Sequence, residues 1–117
     1  MKFIGKYEDM PSEKVAEGIE RRLVHTDNLM MVNVVFTDGP TPEPDPFHSH
    51  PHEQIAFLAE GEVFLFVGDD EKVHLKAGDH FAIPSGVPHT IQRLTDFVRI
   101  IDCFTPLRHD FLSDNKK

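Results

Sequence analysis

Proline and glycine interrupt this chain so often that a long helix has little room to form. Nine prolines and seven glycines are spread over 117 residues. Each proline removes a backbone donor, and each glycine weakens regular structure at its position. The pieces between them are short and rich in Val, Ile, Phe, Leu and Thr. Runs at 19–25, 29–37, 53–59, 62–67, 72–75, 80–83, 90–94 and 97–104 read as strands. Turns are expected at 26–28, 60–61, 68–71 and 77–79. Residues 11–17 predict a brief helical turn. Residues 38–46 carry four prolines and read as a loop with little ladder hydrogen bonding. Short strands at regular spacing, with no long helix, predict an all-β sandwich or barrel. The spacing predicts one domain over 1–117, without internal repeats and with a frayed polar tail at 113–117.

Composition narrows the function classes. With 39% hydrophobic and 27% charged residues, the chain reads as globular rather than disordered. A net charge of −8 argues against a nucleic-acid partner, because phosphate binding needs a clustered basic face. No apolar run approaches membrane-spanning length, so no membrane partner is expected. The N-terminal residues show no secretory pattern, and the single Cys103 cannot close an internal disulfide. Both features predict a cytoplasmic protein.

The chemistry concentrates in His48-Ser49-His50-Pro51-His52-Glu53-Gln54, with His89 downstream. Imidazole nitrogens and an amide oxygen suit a borderline divalent metal. His48, His50 and Gln54 share a parity, so on a strand they face one way. His89, on a neighbouring strand, closes the site from the side. The expected cofactor is one divalent transition metal; the donors suit Zn, Ni, Fe, Mn or Co alike. Four neutral ligands leave the full charge on the ion, which favours Lewis-acid chemistry over redox turnover. His52 shares the parity, but Pro51 is expected to swing it aside. Glu53 falls on the opposite face. His25, His74, His80 and His109 read as structural or solvated, and Phe57, Phe64, Phe66 and Phe81 as core.

Two spaced patterns carry a family resemblance. His48-Ser49-His50-(three residues)-Gln54-(six residues)-Gly61 resembles the first cupin motif, in which a Glu usually stands at the Gln54 position. Gly78-(five residues)-Pro84-Ser85-Gly86-(two residues)-His89 resembles the second. The resemblance implies a cupin-type β-barrel, or two-sheet jelly-roll sandwich, with a metal inside one open end. The first motif, extended by Asp102-Cys103-Phe104-Thr105-Pro106-Leu107-Arg108, is similar to the small cupins of the pectin-degradation (KdgF) type. That likeness implies ring opening of 4,5-unsaturated monouronates from pectin or alginate. It implies His48, His50, Gln54 and His89 on the metal, with Asp102, Phe104 and Arg108 as catalytic residues. A homodimer is also implied, since such cupins commonly pair.

The residues fit those roles. Val98, Ile100, Asp102 and Phe104 share one parity, and the apolar pair marks it as the interior. Asp102 is then expected at the mouth, where it can exchange a proton with substrate. Phe104 offers a flat wall for a sugar ring. Arg108 offers a planar fork for a sugar-acid carboxylate. Arg21, Arg22 and Arg99 are further candidate anion contacts. Two other readings stay open: an Fe(II)-dependent dioxygenase acting on a small acid or phenol, and a non-catalytic cupin that binds a sugar acid.

Overall fold

Alternation of apolar and polar residues builds two antiparallel sheets. The computed structural model describes residues 3–69 and 72–112. Its strands are β1 (Glu13–Ala16), β2 (Ile19–His25), β3 (Met30–Phe36), β4 (Glu53–Glu60), β5 (Glu62–Val67), β6 (Val73–Lys76), β7 (His80–Ile83), β8 (His89–Arg93) and β9 (Val98–Thr105). A short helix, α1 (His109–Leu112), follows β9. One sheet runs β1-β2-β3-β9-β4-β7 and the other β6-β5-β8. Among the described residues no helix is long and apolar enough to cross a membrane.

One sequence expectation fails here. Residues 11–17 hold strand β1 rather than a helical turn. Gly18 turns with φ +75°, which lets β1 fold back on β2 with Lys14 opposite Glu20. Pairing with a ready sheet edge outweighs the weak helix preference of that segment. The proline-rich segment 38–46 forms no strand, as expected, but two of its backbone donors reach β8. The Thr41 and Asp45 N–H groups donate to the Arg93 and Ile91 carbonyls. Its non-proline residues retain their donors and line the edge of β8. The expected tail at 113–117, and Asp70 and Glu71 of the 68–71 turn, lie outside the described residues.

The main core lies between the sheets. Leu58 and Ala56 of β4 and Val98 and Ile100 of β9 meet Val63 and Leu65 of β5 and Leu75 of β6. Phe57 departs from its expected core place, being exposed on the outer face. Phe64 and Phe66 are only half-buried. Parity explains both: Leu58 faces inward on β4, and Val63 and Leu65 on β5, so their neighbours face out. Phe81 does pack against the core. Gly61 makes the β4–β5 turn with φ +87°, and a Cβ there would strike the Phe97 carbonyl.

A second apolar cluster has no opposing sheet. Met30 and Val32 of β3 and Phe104 of β9 are instead covered by Leu107, Phe111 and Leu112. Residues 106–112 thus form a strap outside both sheets, and the strap carries Arg108.

Candidate metal centre

The three histidines of the two motifs meet through backbone pairing. The His48 N–H donates to the His89 carbonyl at 3.1 Å, and the His89 N–H returns to His48 at 2.9 Å. This isolated bridge sets the two ring centroids 4.3 Å apart, with the planes tilted by 57°. The His50 carbonyl accepts from the Gly86 N–H at 2.8 Å, so the second motif also anchors the first. One ring nitrogen from each of His48, His50 and His89 lies within 4.8 Å of the others. β4 starts at Glu53, as expected, so His48 and His50 precede the strand. Pro51 supplies no ladder donor, so the two motif-1 histidines sit on a loop and converge through the bridge.

Hydrogen bonding sets the ring tautomers. His50 Nδ1 donates to the His52 carbonyl at 3.0 Å, and His89 Nδ1 donates to the Val87 carbonyl at 2.9 Å. Their Nε2 atoms therefore carry lone pairs. Backbone carbonyls on the far nitrogen are the usual way a protein aims a metal-binding imidazole. His89 Nε2 is buried with no hydrogen-bond partner among the described residues.

Gln54 completes the argument. Its Nε2 donates to Asp102 Oδ1 at 2.9 Å, so its Oε1 is the atom turned toward His50. That oxygen lies 3.1 Å from His50 Nε2, two acceptors face to face. A cation bound by both resolves the conflict. Two ligands at about 2.1 Å and a right angle lie about 3 Å apart, so the spacing fits. The three histidines could hold a divalent metal, and the Gln54 oxygen stands where it would serve as a fourth donor. His50, Gln54 and His89 are buried, whereas His48 is exposed and stands on the open side.

Electrostatics favour uncharged ligands. Burial first, then the neighbouring His50 and Arg108, lowers the pKa of His48. Burial likewise lowers that of His89, assisted by His48, His50 and Arg108. Asp102 moves the other way. Burial pushes it up to about 6, against the opposing effects of the Gln54 hydrogen bond and the Arg108 charge.

These residues share one pocket of about 290 Å³, lined by His48, Gln54, His89, Asp102, Phe104 and Arg108. Its size is near the lower end for small-molecule sites. Arg108 is stacked against Phe111 at 4.3 Å and Phe104 at 5.2 Å. Its Nε and Nη2 bind the two Asp110 oxygens at 3.1 and 2.8 Å. Arg21, Arg22 and Arg99 lie elsewhere. They bind Glu13, Tyr7 and Glu60 respectively, and none lines this pocket. Glu53 is exposed, and His52 Nε2 bonds to the Leu107 carbonyl. Sequence reasoning missed Asp45 and Thr90, which also line the pocket and are joined by a bond from Thr90 Oγ1 to the Asp45 carbonyl at 2.8 Å. Asp45 stands between two prolines and gave no periodic signal.

The sequence profile of the Cupin domain matches residues 34–100. The chain is 37% identical over 107 residues to the pectin degradation protein KdgF of Dickeya dadantii, spanning 90% of this chain and 94% of that one. The chain belongs to the KdgF family of cupins. The structure of KdgF from Halomonas sp. matches with a TM-score of 0.80 and 32% identity, covering 95% of this chain and 99% of that one. An RmlC-like cupin from Shewanella frigidimarina matches with a TM-score of 0.83 and 30% identity, covering 95% and 96%. The KdgF likeness thus spans nearly the full length of both chains.

Proposed function

We propose that this cupin is an isomerase-like enzyme that opens the ring of 4,5-unsaturated monouronates, the small acids left by pectin or alginate cleavage. One observation carries the reading: Gln54 turns its oxygen to the histidine cluster and its amide N–H to the carboxylate of Asp102. A Lewis-acid site and an acid–base group are thereby joined through one side chain.

The reaction needs a proton moved, not an electron. Asp102 accepts the proton of the C1 hydroxyl. As the C1 carbonyl forms, the C1–O ring bond breaks and its electron pair stays on the ring oxygen as an enolate. Returning the proton to C4 turns the C5–O group into a ketone and gives an open-chain dicarbonyl acid. A carboxyl group that titrates near 6 serves both transfers at neutral pH. Asp102 Oδ1 is engaged by Gln54, so Oδ2 is the atom assigned to the transfer. The substrate carboxylate pairs with the guanidinium edge of Arg108 not occupied by Asp110, and Phe104 forms the wall for the ring. A divalent metal held by His48, His50, Gln54 and His89 supplies Lewis-acid stabilisation of negative oxygen.

The protein acts as a homodimer in this proposal. Met31 on β3 and Ile55 and Phe57 on β4, the two strands that flank β9, are exposed on the larger sheet's outer face. Met31 and Ile55 lie in one cross-strand row, on either side of Cys103. Apolar rows of this kind mark association surfaces. Ile55→Glu is expected to shift the mass in sedimentation from dimer to monomer; an unchanged mass removes this face as the interface.

The reaction is tested by supplying the unsaturated monouronate and following loss of its ring-enol ultraviolet absorbance, with an oxygen electrode in the same cell. The metal-loaded protein is expected to accelerate the loss without consuming oxygen. Decay at the spontaneous rate refutes ring opening. Oxygen uptake coupled to turnover points to a dioxygenase.

A further inference from the structure

His52 is the one histidine of the first motif that the metal centre does not use, yet it is half-buried and held at both ends. Its carbonyl accepts the His50 Nδ1–H at 3.0 Å. Its own Nε2 lies 3.0 Å from the carbonyl of Leu107, fifty-five residues away in sequence. A carbonyl only accepts, so Nε2 carries the proton and the ring is the Nε2–H tautomer. Its Nδ1 is buried with no hydrogen-bond partner among the described residues.

We propose that His52 is a positioning residue that latches the 106–112 strap to the metal-site loop and so sets where Arg108 stands. This rests on the reading of Arg108 as the substrate-carboxylate anchor. The Leu107 carbonyl belongs to the peptide plane that leads directly into Arg108. Fixing that oxygen fixes the direction in which the Arg108 side chain leaves the backbone. The strap is in neither sheet. Leu107, Phe111 and Leu112 seat it by apolar contact, which has no direction of its own. The hydrogen bond from His52 supplies the missing direction. Asp110 then steadies the guanidinium from one edge. The chain from Arg108 to the histidine cluster is continuous: Leu107 carbonyl, His52 ring, His52 carbonyl, His50 ring. A displaced Arg108 would meet the substrate carboxylate less well, which weakens capture of the substrate.

Two variants separate this role from a merely structural one. His52→Phe keeps the ring volume and loses the donor. His52→Gln places an amide N–H near the position of Nε2. Each is prepared as the full chain loaded with zinc. Zinc stoichiometry and affinity are expected to match wild type in both. Amide exchange at 106–112 is expected to accelerate about tenfold in His52→Phe and to return near wild type in His52→Gln. KM for the unsaturated monouronate is expected to rise about tenfold in His52→Phe, with kcat changed far less, and to recover in His52→Gln. Unchanged strap exchange in His52→Phe overturns the proposal. Loss of zinc in step with strap loosening also overturns it, because His52 would then be supporting a ligand. If wild type opens no uronate ring, the proposed reaction fails, while the exchange comparison still decides the latch.

Discussion

The inward faces of β4 and β9 are two different materials end to end. At one end Leu58 and Val98 are fully buried and pack on Val63 of the opposite sheet. At the other, the same two faces present Gln54 and Asp102, hydrogen-bonded to each other and facing the histidines. Ala56 and Ile100 are the transition, only one inward step from each polar residue. The scaffold does not change between the ends; the side chains do. The apolar end holds the strands in register, and that register sets where polar groups stand at the other end. Burial there raises the pKa of Asp102 and lowers those of His48 and His89. A stable core and a reactive pocket are thus successive stretches of one alternating pattern.

Mutations should separate the two ends. His89→Ala is expected to have the largest effect: metal binding is lost and ring opening falls to the uncatalysed rate. The circular dichroism spectrum should stay that of the β fold. Leu58→Ala is expected to do the reverse. It costs about 3 kcal/mol in urea unfolding while the folded fraction still binds one metal ion. Loss of metal affinity in the folded fraction of Leu58→Ala would show that the ends are not separable.

Asp102→Asn is expected to reduce kcat by about 100-fold with metal occupancy unchanged. Near-normal turnover removes Asp102 from the mechanism. The same variant has an opposite effect on stability. An unfolded aspartate titrates near ~3.9, and burial holds the folded one at about 6. Between these values the folded state keeps a proton that the unfolded state has released. The stability from that proton is complete below about pH 4 and is lost as pH rises through about 6. Metal-free Asp102→Asn should therefore melt higher than wild type at pH 7, with the difference vanishing at pH 4.

Smaller effects follow at the rim and on the ligands. Arg108→Lys is expected to raise KM about tenfold, because an ammonium cannot reproduce the two-pronged contact. Equal KM values exclude Arg108 as the anchor. The lowered pKa values of His48 and His89 keep these rings neutral at pH values where a free histidine starts to charge. Protonation of these two rings is therefore expected to begin competing with the metal only at a lower pH than free histidines would allow. A metal affinity that already falls where free histidine takes up its proton contradicts that ordering.

Much of this was legible in the sequence, for a physical reason. Strands of period two write their inward face into the chain, so β2, β5 and β7 were read with their observed bounds. The same period placed Gln54 inward and Glu53 outward. What the sequence concealed depends on partners distant along the chain. β1 is a strand only because β2 offers an edge to it. His48 and His50 converge through a bridge to His89, which no local period encodes. The proline loop reaches the pocket because Asp45 pairs with β8, and His52 finds Leu107 across fifty-five residues. Phe57 and Phe64 were misplaced because hydrophobicity was weighed ahead of parity.

The most direct test is crystallographic. Metal-stripped protein is reloaded with one equivalent of zinc, and anomalous scattering is recorded on both sides of the zinc edge. One peak is expected, bonded to His48, His50 and His89 and to the Gln54 oxygen. A map with no peak among those four side chains, or a Gln54 turned away from an ion that is present, contradicts the account.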